Sequence, residues 1–163
     1  MKRHLVRIDM GINTPDQSER QLWMATLAKS KLADLEDHLA ELVVPDYTVL
    51  RSPEIGLVMV RGRAGGTGQP FNLGEMTVTR CVVQMSGPEG EISGFGYVAG
   101  RSHRHAELAA VGDALMQHPS WREQVRDKTI APLQVIAAQQ RTEQQEQTAS
   151  TRVNFFTMPR GER

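Results

Sequence analysis

Met76-Thr77-Val78-Thr79-Arg80-Cys81-Val82-Val83-Gln84-Met85-Ser86-Gly87-Pro88-Glu89-Gly90-Glu91-Ile92-Ser93-Gly94-Phe95-Gly96-Tyr97-Val98-Ala99 holds two runs rich in β-branched and aromatic residues around a Gly-Pro-Glu-Gly segment. Such residues fit a pleated surface, and Gly and Pro punctuate a reversal, so Met76–Met85 and Glu91–Ala99 are predicted to be paired strands. Upstream, Tyr47–Leu50 and Leu57–Arg63 read as a second pair, joined by a turn at Ser52-Pro53-Glu54-Ile55-Gly56. Four strands joined mainly by short turns form an antiparallel sheet, because parallel neighbours require crossover helices. Between the pairs, Gly65-Gly66-Thr67-Gly68-Gln69-Pro70 is too rich in glycine to be regular structure.

Helical patterns flank this centre. Thr14 as N-cap, Pro15 at the first helical position and Gln17 three residues after the cap open a helix to about Lys29, with Leu22, Trp23, Thr26 and Leu27 on one face. Ser30 is placed to cap a second helix, in which Leu32, Leu35, Leu39 and Leu42 recur at helical spacing and Pro45-Asp46 mark the end. After Gly100, Ser102 opens a helix through Gln117 with Leu108, Val111 and Leu115 on its apolar face, and Pro119 stops it. Ser120-Trp121-Arg122-Glu123 has the form of a capping box, and Pro132 starts a last helix to about Gln147. Helices, strands and helices again give an α+β fold: an antiparallel four-stranded sheet flanked by an N-terminal helical hairpin and C-terminal helices. The expected organisation is a flexible arm over residues 1–14, one domain over 15–149 and an apolar tail over 150–163.

A chain of 163 residues buries enough surface to fold as one domain without a disulfide or metal. Two Trp, two Tyr and four Phe leave the core mostly aliphatic. Nineteen basic residues balance nineteen acidic ones, which argues against non-specific nucleic-acid binding. A single cysteine, Cys81, excludes a disulfide framework or a Cys-rich metal site within the chain. No apolar run is long enough for a spanning helix, and Leu5-Val6-Arg7-Ile8-Asp9 is too broken by charge for a secretory signal, so a cytoplasmic protein is expected.

The candidate chemistry is sparse. After Gly68 come Gln69 and Pro70 where a phosphate-binding P-loop needs Lys and Ser or Thr. The loop is then either a plain hairpin connection or a set of backbone N–H groups offered to an anion, with Arg61, Arg63 or Arg80 nearby. Gly94-Phe95-Gly96-Tyr97-Val98-Ala99 matches the dinucleotide fingerprint by letter, but its glycines lie within a strand rather than at a strand-to-helix turn, where they indicate close packing or a bulge. His103, His105 and Glu107 cannot converge on a metal from a helix start, because successive residues diverge by about 100°. Cys81 has no local partner that would make it a nucleophile. No self-sufficient catalytic set or metal site is legible.

The tail is unusual. Val153, Phe155, Phe156 and Met158 cluster in a polar terminus behind the Gln-rich stretch Gln139–Gln147. Apolar residues in such a place dock either on the chain's own body or on a partner, and the polar spacer favours a partner.

Four blocks carry a resemblance. These are Arg20–Ala28, Gly65–Gly68 with Phe71–Cys81, Gly96–Arg101 with His105-Ala106-Glu107, and Val153-Asn154-Phe155-Phe156-Thr157-Met158-Pro159-Arg160-Gly161-Glu162. Together they resemble the PhnG family, the G subunit of the bacterial carbon–phosphorus lyase system, across about residues 15 to 162. The chain departs from the family pattern in carrying Ser102 and Asn154 where Asp is usual and Pro159 where Val is usual.

The resemblance implies an accessory subunit without a catalytic residue of its own. Its core partners would be the H, I and J subunits, the I subunit most directly, with the ATP-binding-cassette-like K and L subunits joining the complex. The implied reaction displaces adenine from MgATP by methylphosphonate, giving ribose 1-methylphosphonate 5-triphosphate; iron–sulfur and S-adenosylmethionine chemistry belongs to the J subunit, and no cofactor is expected in this chain. Candidate shared-site or anion-binding residues are Gly65, Gly66, Gly68, Arg80, Arg101, His105 and Glu107. Candidate partner-docking residues are Val153, Phe155, Phe156, Met158 and Arg160. The alternative is a stand-alone anion-binding enzyme using the Gly65–Gly68 loop, Arg80 and Arg101, with His105 as acid or base.

Overall fold

The computed structural model describes residues 16–87 and 90–151. The N-terminal arm, the Thr14-Pro15 helix start, Pro88-Glu89 and the tail from residue 152, with Val153, Phe155, Phe156, Met158 and Arg160, lie outside the described residues.

Helix α1 spans Gln17–Lys29 and buries Trp23 and Leu27, while Leu22, expected on the same face, is mostly exposed. Helix α2 spans Leu32–Ala40 and buries Leu35 and Leu39. Ser30 does not cap α2. Its hydroxyl donates to the Leu27 carbonyl at 2.9 Å, so it closes α1 instead.

The sheet has three antiparallel strands, not the four expected: β1 (Tyr47–Arg63), β2 (Pro70–Gly87) and β3 (Gly90–Ala99), in the order β1-β2-β3. The turn expected at Ser52–Gly56 is continuous strand. β1 lies at the sheet edge, where Pro53 removes no hydrogen bond that a neighbour needs. The irregularity is absorbed by register shifts between Val49 and Arg51 and between Arg51 and Glu54. The reversal between β1 and β2 falls at Ala64–Gly66, where Gly65 and Gly66 have φ of 60° and 78°, a left-handed backbone that suits glycine.

Helix α3, His103–Gln117, lies across β3 and β2 and carries the centre of the core. Ser102 caps it as predicted, accepting from the His105 backbone N–H at 3.3 Å. Ala106, Ala110 and Ala114 turn one small-residue row toward β3, and the strand answers with Gly94 and Gly96. A Cβ on Gly96 would stand 1.9 Å from the Ala106 carbonyl oxygen, and one on Gly94 2.0 Å from that of Ala110. The glycines of the fingerprint-like stretch therefore serve backbone-to-backbone packing.

Helix α4 (Pro119–Val125) is capped by His118, whose ring accepts from the Ser120 N–H at 3.2 Å, rather than by Ser120 itself. It continues through a wide π turn at Arg126–Ile130 into α5 (Ala131–Ser150). The wide turn lets the chain pass Pro132, which cannot donate to the preceding helical turn, without breaking the helix. The first turns of α5 bury Leu133 against the body, and residues 141–150 are exposed on every side. No helix among the described residues is long and apolar enough to cross a membrane.

Candidate interaction surface

The glycine loop is the tip of a long hairpin. β3 pairs only with Val78–Gly87, so beyond Gly56 and Val78 the strands β1 and β2 continue as a two-stranded arm. At its tip the Gly68 N–H donates to the Ala64 carbonyl at 3.0 Å and is thereby taken up within the loop. Arg80 lies twelve residues back along β2, about 40 Å at strand spacing. Its guanidinium is paired with Glu54, which also takes Arg51 at 3.2 Å. Arg101 is exposed just after β3, where the Gly100 N–H bonds the Thr77 carbonyl.

His105 is buried in the helical layer. Its Nε2 lies 2.9 Å from the Leu27 carbonyl oxygen, which only accepts, so that nitrogen holds the proton. Glu107, one turn beyond Ser102, accepts from the Tyr47 hydroxyl at 2.7 Å, and its other oxygen meets Arg104 at 3.4 Å. That hydrogen bond, reinforced by partial burial and by the Glu107 charge, raises the Tyr47 pKa above its ordinary value. Burial, more than the Glu107 charge, pushes the Cys81 thiol up; its Sγ donates to the Arg51 carbonyl at 3.4 Å. The candidate residues thus fall into separate places: arm tip, sheet surface, and the opening of α3. Among the described residues, no three His, Cys, Asp or Glu side chains converge as metal ligands would.

What the fold does assemble, among the described residues, is an exposed apolar surface. Leu57, Met59, Phe71, Leu73 and Met76 are all exposed on the arm, Leu57 and Leu73 by more than 60%. The register sets Val58 opposite Met76 and Gly62 opposite Phe71, so these share one side, and Leu73 leans over Gly62 on that same side. This side carries no charge and continues the outer sheet face, where Phe95 and Tyr97 are also exposed. A two-stranded ribbon with exposed apolar residues on both sides gains little from its own packing and is the form of a surface that meets a partner.

Two features went unread in the sequence. One is the apolar arm, whose second strand begins at Pro70 rather than at Met76; its signal is Phe71-Asn72-Leu73 directly after the glycines. The other is Asp113, fully buried beneath α1, whose signal was an acid set between Val111 and Leu115 on an apolar helix face.

Residues 18–161 match the model of the family described as phosphonate metabolism protein PhnG. The chain is also similar to the alpha-D-ribose 1-methylphosphonate 5-triphosphate synthase subunit PhnG of Rhizobium meliloti (strain 1021), with 43% identity over 155 residues that cover 94% of each chain. On that match of nearly the whole length, the chain belongs to the PhnG family.

Proposed function

We propose that this protein is an accessory subunit of the carbon–phosphorus lyase core complex, acting in phosphonate catabolism where ribose 1-methylphosphonate 5-triphosphate is made from MgATP and methylphosphonate with loss of adenine. The observation that carries the reading is the uncovered apolar arm, in a chain whose relative is named as a synthase subunit. In this reading the H, I and J subunits are its partners in the cytoplasm, the I subunit in direct contact, with the K and L subunits joining the assembly. MgATP is a substrate of the complex, and the chain contributes surface and position rather than a reacting group. Val153, Phe155, Phe156, Met158 and Arg160 would add a second docking element. The stand-alone enzyme is disfavoured by the roughly 40 Å of strand between the glycine loop and Arg80 and by the burial of His105.

The test is the native mass of the species obtained when the chain is co-expressed with the H, I and J subunits of the same genome, followed by adenine release from MgATP with and without the chain. A defined hetero-oligomer whose activity requires this chain supports the proposal. A chain that stays alone and turns over an anionic substrate by itself overturns it.

A further inference from the structure

Charge is unevenly placed along this neutral chain. Lys31–Tyr47 carries Asp34, Glu36, Asp37, Glu41 and Asp46 against the single cation Lys31. The same segment walls a cleft of about 400 Å³ between α2, α3 and the start of β1, floored by Leu39, Leu42, Val44, Leu108 and Val111. Leu39, Leu108 and Val111 belong to the core, so the floor is rigid, while Leu42 and Val44 are only partly covered. At the mouth, Arg104 stands 3.4 Å from Glu36 and 3.4 Å from Glu107, whose far oxygen is held by Tyr47 at 2.7 Å. Among the described residues, Arg104 is the one cation lining the cleft, and it is shared by two carboxylates, so these groups leave the rim one acid in excess.

We infer that this cleft receives a large apolar side chain from a partner subunit, on a segment that carries a lysine or arginine within a residue or two of it. The inference rests on the subunit reading above and names a contact that reading leaves open. An apolar floor rewards removal of a hydrophobic side chain from water. A rim with excess carboxylate repels acidic segments and rewards a flanking cation, which meets Glu36. A small anionic substrate has the wrong charge for this place.

The experiment places a photo-cross-linking residue at the exposed, cleft-lining position Ala40 in the co-expressed complex, and separately tests Ala40→Arg and Glu36→Lys. The expected result is a cross-link to a partner peptide in which an apolar residue adjoins Lys or Arg. Both variants are expected to melt within about 2 °C of wild type, as surface changes do, yet to weaken association roughly tenfold or more. A complex that forms normally with both variants, or a cross-link to an acidic segment or to a second copy of this chain, overturns the cleft assignment while leaving the subunit reading intact. A wild-type chain that joins no complex overturns both. The cross-link is read on a chain with its native charge, so it decides the matter even if a variant fails to fold.

Discussion

The indole N–H of Trp23 donates to Oδ1 of Asp113 at 2.9 Å, fixing α1 to α3 by a buried hydrogen bond across ninety residues of chain. Asp113 is wholly buried and also accepts from Arg20 Nε and Nη2 at 3.2 and 2.7 Å, the Phe95 backbone N–H at 3.0 Å and Gln117 Nε2 at 3.1 Å. One carboxylate thus joins a helix, the free edge of β3 and the next helical turn, and every donor around it is satisfied.

Removing it leaves those donors without their acceptor in a dry place. Asp113→Ala is expected to cost about 3 kcal/mol, since a broken buried charge pair leaves the other charge uncompensated. In a domain of this size that lowers Tm by roughly 6–12 °C. A scanning-calorimetry Tm within 2 °C of wild type, on the order of what a neutral surface change gives, would show that the hub is not structural.

The glycines of β3 and β1 make a paired prediction. Gly96→Ala drives its Cβ against the Ala106 carbonyl and must lift α3 from the sheet, so soluble folded protein is expected to be lost. Gly56→Ala meets nothing within 4 Å and is expected to be neutral or slightly stabilising. Soluble yield and near-ultraviolet circular dichroism separate the two, and equal behaviour would refute the packing account.

Tyr47 gives a pH dependence with a definite sign. Its hydroxyl is held protonated by Glu107, so its folded pKa lies above the unfolded one. The folded state thus keeps its proton more tightly, and this contribution is complete below the unfolded pKa near 10 and is lost as pH rises through the folded value. Tyr47→Phe is expected to be less stable than wild type at pH 8 and to converge with it in denaturant midpoint as pH rises above about 10. A gap that is constant from pH 8 to 11 would sink this assignment.

The arm offers a separation of stability from assembly. Phe71 and Leu73 are exposed near Gly62 of the hairpin, so Phe71→Ser with Leu73→Ser is expected to leave the Tm of the isolated chain within about 2 °C of wild type. The same double variant is expected to lower recovery of the co-expressed complex roughly tenfold or more, because buried aromatic and aliphatic anchors dominate interfaces. Intact assembly would move the interface elsewhere.

Much of this was legible in the residues. The leucine spacing of α2, the Ser102 cap and the strand character of Met76–Met85 and Glu91–Ala99 follow from short-range rules, and the structure has them. Where local rules failed, a longer-range fact prevailed. Ser52-Pro53 looks like a turn on its own, yet becomes strand because β2 supplies a partner for the residues on either side. Ser30 and Ser120 are good caps in isolation, but the Ser30 hydroxyl donates to the Leu27 carbonyl instead, and the His118 ring takes the N–H of Ser120.

By itself, then, the sequence determined the α+β class, the kinds of element and the family, because periodicity, capping and motif blocks are properties of neighbouring residues. Only the tertiary structure decided that the sheet has three strands, that His105 faces Leu27 inside the core, that Asp113 anchors three elements, and that the glycine loop stands far from Arg80. Those outcomes depend on which distant surface covers which face. Alternation along a strand says which side chains share a side, and nothing local says whether a helix will lie over them; on the arm none of the described helices does, which leaves that apolar face exposed among the described residues.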